Sequence, residues 1–253
     1  MSKINKQGVA VDDPILVIHG WGMNSTVWEP IDESLRQCFQ VTYIDLSGHG
    51  NNSGVQAKNL SEIVDYILPL IKRPTHIMGW SLGGLVVQEI IQRCPELIKN
   101  VIFVASTPRF SQSEGWMNAM PKKVLNAFSD NLLNDIKGTI KRFIALQFMG
   151  VSNSQVIQRE LRDSLLKNLP SEEALMTGLK ILQHQDFRYR VIKHRVLWLL
   201  GEKDRLVPVE IEADLRELYP DACVEIIIGA GHAPFMTHPK QFMDVVIKFS
   251  SSN

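Results

Sequence analysis

Short apolar runs alternate with helically spaced stretches along the first hundred residues. Ile15–His19 reads as a short buried strand, and Asn24 is a candidate N-cap for a helix running towards Gln37. Val41–Ile44 is a second strand, ending in the loop Asp45–Gly50. Leu60–Lys72 has helical spacing. A strand over Thr75–Trp80, a helix over Leu82–Arg93 and a strand over Val101–Ala105 follow. Strands separated by helices imply βαβ units and a mostly parallel sheet.

The alternation stops near Ser106. From there to about Arg190 the periodicity is helical, with four helices predicted over 121–134, 135–149, 154–168 and 171–184. Strands return at Val196–Gly201 and Cys223–Ile228, with helices over Val209–Leu218 and Pro239–Phe249. The pattern predicts an α/β core from residues 1–105 and 191–253, interrupted by a helical insertion over 106–190.

Composition narrows the class. The chain has 253 residues, 45% apolar and 21% charged, which is ordinary for a folded globular protein. Lys plus Arg is 27 and Asp plus Glu is 27. A nucleic-acid binder would carry a basic excess, so none is expected. The opening Met1–Gly8 has no apolar core of a secretory signal, and no apolar run approaches the roughly 18 residues of a membrane span. Three cysteines, Cys38, Cys94 and Cys223, form neither a metal-type pair nor a disulfide framework. A cytoplasmic protein with reduced thiols, acting as a monomer, is the expectation.

Gly79-Trp80-Ser81-Leu82-Gly83 fits G-x-S-x-G where an apolar strand gives way to a helix, the setting of a nucleophile elbow. The alternative is a glycine-rich turn with a helix-capping serine. A nucleophilic serine needs a base, and the base an orienting acid, here in the chain order serine, acid, histidine. His232, in Gly229–Phe235 after the last strand, is the candidate base. Asp204, in the loop after Val196–Leu200, is the candidate acid, and Glu202 is its nearest rival. Two backbone N–H groups would hold the oxyanion. Leu82 supplies one, and Trp21, between Gly20 and Gly22, the other. His19 and His49 form no metal-ligand spacing with other candidates, and no dinucleotide or P-loop signature is present. No metal and no cofactor are expected.

These features resemble the α/β-hydrolase superfamily, with a helical lid inserted after its sixth strand. His19–Asn24, Gly79–Leu85, Arg142–Gln147 with Met149-Gly150, and Ala233–Phe235 with His238-Pro239 are similar to the pimeloyl-acyl carrier protein methyl ester esterases of biotin biosynthesis. The resemblance implies a serine carboxylesterase with Ser81, Asp204 and His232 as nucleophile, acid and base. It implies substrate contacts at Trp21, Ser81, Leu82, Phe143, Ile144, Ala145, Leu146 and Gln147. Phe143, Leu146 and Met149 would line an acyl channel. It also implies an acyl carrier protein as partner, held by lid arginines. Arg142 and Arg159 match that pattern. Gly138 and Gln155 stand where it has arginine, with Lys137 and Lys141 close by. Pro121–Asn168 holds eight Lys/Arg against four Asp/Glu, a sign suited to an acidic carrier, although a solvated helical face would look the same. Two further alternatives share the fold: another lidded hydrolase, such as a short-chain esterase or C–C bond hydrolase, and a non-catalytic ligand receptor.

Overall fold

Pro14–Ile18 forms the first strand, β1, and four of its five residues are buried. The structure is a computed structural model and describes residues 13–251. β2 (Gln40–Ile44), β3 (Thr75–Trp80), β4 (Ile98–Val104), β5 (Arg195–Gly201) and β6 (Cys223–Ile227) join β1 in one sheet of order β2-β1-β3-β4-β5-β6. Every neighbouring pair is parallel. A parallel sheet is covered on both faces, so its central strands must be apolar on both. β3 is accordingly buried at all six positions and β5 at six of seven. β2, at one edge, alternates exposed and half-buried residues up to Ile44.

Helices α1 (Glu29–Arg36), α2 (Leu60–Ile67) and α3 (Leu82–Arg93) connect the first strands. Asn24 caps as expected, its side chain accepting from the Thr26 amide at 3.0 Å, but the first turn is 3-10 over Ser25–Trp28. α1 proper starts next to Pro30, which lacks an N–H and fits only the first helical turn. The helix expected over Leu60–Lys72 likewise ends at Ile67, and Pro69 sits in a 3-10 turn over Leu68–Leu70.

Four helices lie between β4 and β5: α4 (Lys122–Leu132), α5 (Ile136–Gln147), α6 (Gln155–Lys167) and α7 (Glu172–His184). Residues 106–121 precede them without a helix and carry two isolated bridges, Ser111 with Met120 and Ser113 with Trp116. α7 packs on both α4 and α3, so the inserted helices sit over the helix that begins just after Ser81. The insertion follows the fourth described strand. Any strand counted before β1 would fall in residues 1–12, outside the described region. α8 (Ile211–Leu218), α9 (Pro234–Thr237) and α10 (Pro239–Ser251) complete the chain, and α10 packs against α1. No described helix is long and apolar enough to cross a membrane.

The chain leaves β1 for β2 on one side and then reaches β3 on the other. The carboxyl ends of β1 and β3 thus flank a topological switch point, where open α/β sheets form their ligand crevice. The loops that begin at His19 and Ser81 both open there.

Candidate active site

Ser81 follows β3 directly and caps α3 with φ 54° and ψ −118°. A positive φ is strained for a residue with a side chain and persists only where its surroundings impose it. Two bonds do so here: the Ser81 amide donates to Val104 O at 2.9 Å, and Ser106 Oγ donates to Ser81 O at 2.9 Å. The Ser81 side chain makes no capping hydrogen bond, which disposes of the capping-serine alternative. Its hydroxyl stands at the amino end of a 12-residue helix, where the peptide dipoles favour negative charge.

His232 and Asp204 come together from the ends of β6 and β5. Nδ1 of His232 lies 2.8 Å from Oδ2 of Asp204, and both side chains are fully buried. The other carboxylate oxygen accepts from the Leu206 and Val207 amides at 2.7 and 3.0 Å. Asp204 is therefore fixed by its own loop while it orients the imidazole. Glu202, the rival acid, is exposed and instead accepts from the Gly229 amide at 2.8 Å. The His232 Nε2 atom is buried and has no hydrogen-bond partner among the described residues. No hydrogen bond joins it to Ser81 Oγ here; such bonds often tighten only when substrate binds.

The oxyanion candidates flank the serine. Leu82 provides the first amide of α3, a position that has no intrahelical acceptor. Trp21 lies in the turn after β1 with its indole Nε1 donating to Leu175 O of α7 at 2.8 Å. Its ring meets Phe143 of α5 edge-on, centroids 4.7 Å apart. Beneath the turn, His19 Nδ1 donates to Gly20 O at 2.8 Å while Nε2 accepts from the Leu46 amide at 2.9 Å. Burial, reinforced by His49, pushes the His19 pKa down to about 3, so the ring stays neutral and keeps that acceptor. His49 is held below its ordinary value by burial as well.

The inserted helices close directly over this constellation. The His232 amide donates to Gln147 O at 3.0 Å, and Ser81, Trp21, Phe143 and Gln147 are all buried. The five residues Phe143–Gln147 do not share one environment, because each helical step turns about 100°. Phe143 contacts Trp21, and Gln147 reaches the His232 loop. Ile144 is part of the hydrophobic core, Leu146 is half-buried, and Ala145 faces solvent, so the structure does not bring the Ala145 side chain to the site. Met149, expected in an acyl channel, is 52% exposed. Lys137, Lys141, Arg142 and Arg159 are all exposed on α5 and α6. Arg142 donates to Thr139 Oγ1 at 3.0 Å and lies 3.8 Å from Asp135. Among the described residues, no group of three or more His, Cys, Asp or Glu could hold a metal ion.

Sequence reasoning did not find Ser106, Gly178 or the role of Trp80. Trp80 donates its indole N–H to His232 O at 2.7 Å. An apolar residue in a buried strand gives no sign of such a bond. Gly178 did leave a signal, since a lone glycine inside a helix marks a close approach. A Cβ there would lie 2.6 Å from Trp21 Cδ1.

Residues 13–239 match the family described as alpha/beta hydrolase fold. A pimeloyl-(acyl-carrier protein) methyl ester esterase from Pseudoalteromonas atlantica is 38% identical over 237 residues, 90% of each chain. The enzyme of the same name from Vibrio campbellii is 36% identical over 94% of each chain. A solved bromoperoxidase structure from Bacillus anthracis superposes with a TM-score of 0.86 at 21% identity, covering 95% of this chain and 92% of that one, a likeness of fold. The chain therefore belongs to the α/β-hydrolase family and, within it, to the pimeloyl-(acyl-carrier protein) methyl ester esterases.

Proposed function

We propose that this protein is a serine carboxylesterase of biotin biosynthesis that hydrolyses the methyl ester of pimeloyl-acyl carrier protein, releasing methanol. Near-full-length similarity to esterases of that name carries the reading. The elbow at Ser81 and the buried His232–Asp204 pair support its chemistry.

Ser81 Oγ attacks the ester carbonyl as His232 Nε2 takes its proton. The Leu82 and Trp21 amides receive the oxyanion, preorganised among buried side chains. The intermediate collapses to an acyl-enzyme, and His232 returns the proton to departing methoxide. A water molecule then gives a proton to His232 and attacks the acyl carbonyl. Collapse of that second intermediate frees the pimeloyl carboxylate and restores the serine. Asp204 holds the imidazole in the tautomer with hydrogen on Nδ1 and stabilises the imidazolium.

In this reading α4–α7 form a lid over the acyl chain, as an insertion over 106–190 in a core of 1–105 and 191–253. Phe143 and Gln147 contact the substrate, and Arg142, Arg159, Lys137 and Lys141 face the carrier. The enzyme acts in the cytoplasm, as a monomer.

The test is rescue of biotin auxotrophy in a bacterial strain lacking this esterase, together with methanol release from the purified carrier-linked ester. The wild-type chain should do both. Ser81→Ala should do neither, its kcat lowered by up to roughly a millionfold, as in another serine hydrolase. Failure of the wild type on the carrier-linked ester, with good turnover of short nitrophenyl esters, would identify a general esterase instead. Lack of labelling by a fluorophosphonate probe would point to a non-catalytic receptor.

A further inference from the structure

The residue that carries the candidate base is tied down at three points. Its imidazole meets Asp204 at 2.8 Å, its amide donates to Gln147 O at 3.0 Å, and its carbonyl accepts from Trp80 Nε1 at 2.7 Å. The third tie differs in kind, because Trp80 is the last residue of β3 and is bonded directly to Ser81. One residue thus carries the serine on its main chain and holds the histidine with its side chain. Trp80 and His232 are both completely buried, and no other described group donates to that carbonyl.

The indole is not free to turn. It meets Phe235 edge-on with centroids 5.0 Å apart and Trp28 at 6.3 Å. Trp28 and Phe235 in turn lie 4.2 Å apart, and Phe235 follows His232 by three residues. On another side the indole packs against the turn that holds Trp21: a Cβ at Gly20 would come within 3.1 Å of Trp80 Cε3. The imidazole of His232 itself lies against the indole, centroids 5.7 Å apart.

We propose that Trp80 is a positioning residue for the reaction, referencing the base to the nucleophile through its indole N–H. The inference rests on His232 acting as the base. Nε2 has no partner to hold it in the free enzyme, so the place where it meets Ser81 Oγ is set by the main chain of its loop. Without the indole donor that main chain loses the hydrogen bond that refers it to the serine, and only the ring contacts of Phe235 and the imidazole with Trp80 remain. Displacement of a reacting group by about 1 Å can cost on the order of a hundredfold in rate.

The test uses two replacements on the full chain. Trp80→Phe removes the donor and some volume. Incorporation of 3-benzothienylalanine at position 80 removes the donor and keeps the bicyclic shape, with sulfur in place of N–H. Each is assayed for kcat and KM on a free methyl ester, for the rate of fluorophosphonate labelling and for Tm. The expected result, clearest for the isostere, is a fall in kcat of about ten- to a hundredfold. Labelling should slow in step, KM should stay within about twofold, and the shape-preserving variant should remain folded at the assay temperature. Wild-type kcat and labelling in that variant would overturn the proposal and leave Trp80 as core packing alone. A rise in KM with kcat unchanged would overturn it too, placing Trp80 in substrate binding. His232→Gln is run alongside: if it remained active, the base assignment itself would fall, a failure distinct from that of Trp80.

Discussion

Asp204 and Glu202 stand two positions apart after β5, and their hydrogen bonds separate their tasks. Asp204 reaches the imidazole, whereas Glu202 braces the loop behind it through the Gly229 amide. Asp204→Asn should therefore lower kcat by several orders of magnitude, as when the orienting acid of another serine hydrolase is removed. Glu202→Gln, which retains an acceptor for Gly229, should stay within about tenfold of wild type. Steady-state kinetics of the pair decide the matter, and the reverse ranking would give the acid's role to Glu202. At this scale much of the constellation could be read from the chain. Ser81 announces itself by the glycines around it, and His232 and Asp204 by the loops they occupy. The ties that hold them could not be read. Ser106 and Trp80 act through one hydroxyl and one indole on residues 25 and 152 positions away, and no local spacing encodes that proximity.

Among the elements, α7 lies against the site without contributing a reacting group. Trp21 is pinned to it by the bond to Leu175 O, and Gly178, one turn further along, leaves room for the indole. A methyl group at Gly178 would lie 2.6 Å from Trp21 Cδ1 and 3.1 Å from Leu82 Cδ2, the side chains of both candidate oxyanion donors. Two effects compete in Gly178→Ala. Alanine favours the helix by about 1 kcal/mol, while overpacking typically costs about 1–3 kcal/mol. The clash should prevail, giving a modest loss of stability by urea titration. Activity should suffer more, with kcat/KM on a free methyl ester down about tenfold or beyond as Trp21 is displaced. A more stable variant with full activity would show that the indole yields freely. The helices and strands themselves were largely legible, because apolar spacing follows burial. Legibility failed at Pro30 and Pro69, where missing amides shorten or tighten helices that the apolar spacing alone would extend. It failed also at Phe143–Gln147, where a contiguous motif hides the fact that a helix presents its residues to different surroundings.

Over the whole molecule, charge is balanced but unevenly spread. Pro121–Asn168 carries a net +4 and the remainder −4. If that face receives an acidic carrier protein, reversing Arg142 and Arg159 to Glu should lower kcat/KM for the carrier-linked ester by on the order of tenfold or more, chiefly through slower association. Turnover of a free methyl ester should barely change. High salt should reproduce part of the loss, since the Debye length falls from about 8 Å at physiological ionic strength to about 3 Å at 1 M. An unchanged ratio of the two kcat/KM values would mean that the charge serves only solvation. The placement of these helices has a further consequence, for how the chain can vary. β4 ends at Val104 and β5 begins at Arg195, yet the two strands pair directly. Closing a connection of that length, rather than one of about ten residues, costs the fold only about 2 kcal/mol in chain entropy, because the penalty grows with the logarithm of length. The sheet is therefore nearly indifferent to how much chain departs between these strands. Lengthening or exchanging parts of that excursion can change what the enzyme admits while the paired strands that carry Ser81 and Asp204 endure, so long as Gln147 O still receives the His232 amide and Leu175 O the Trp21 indole, which makes this junction the natural place for new specificities to arise.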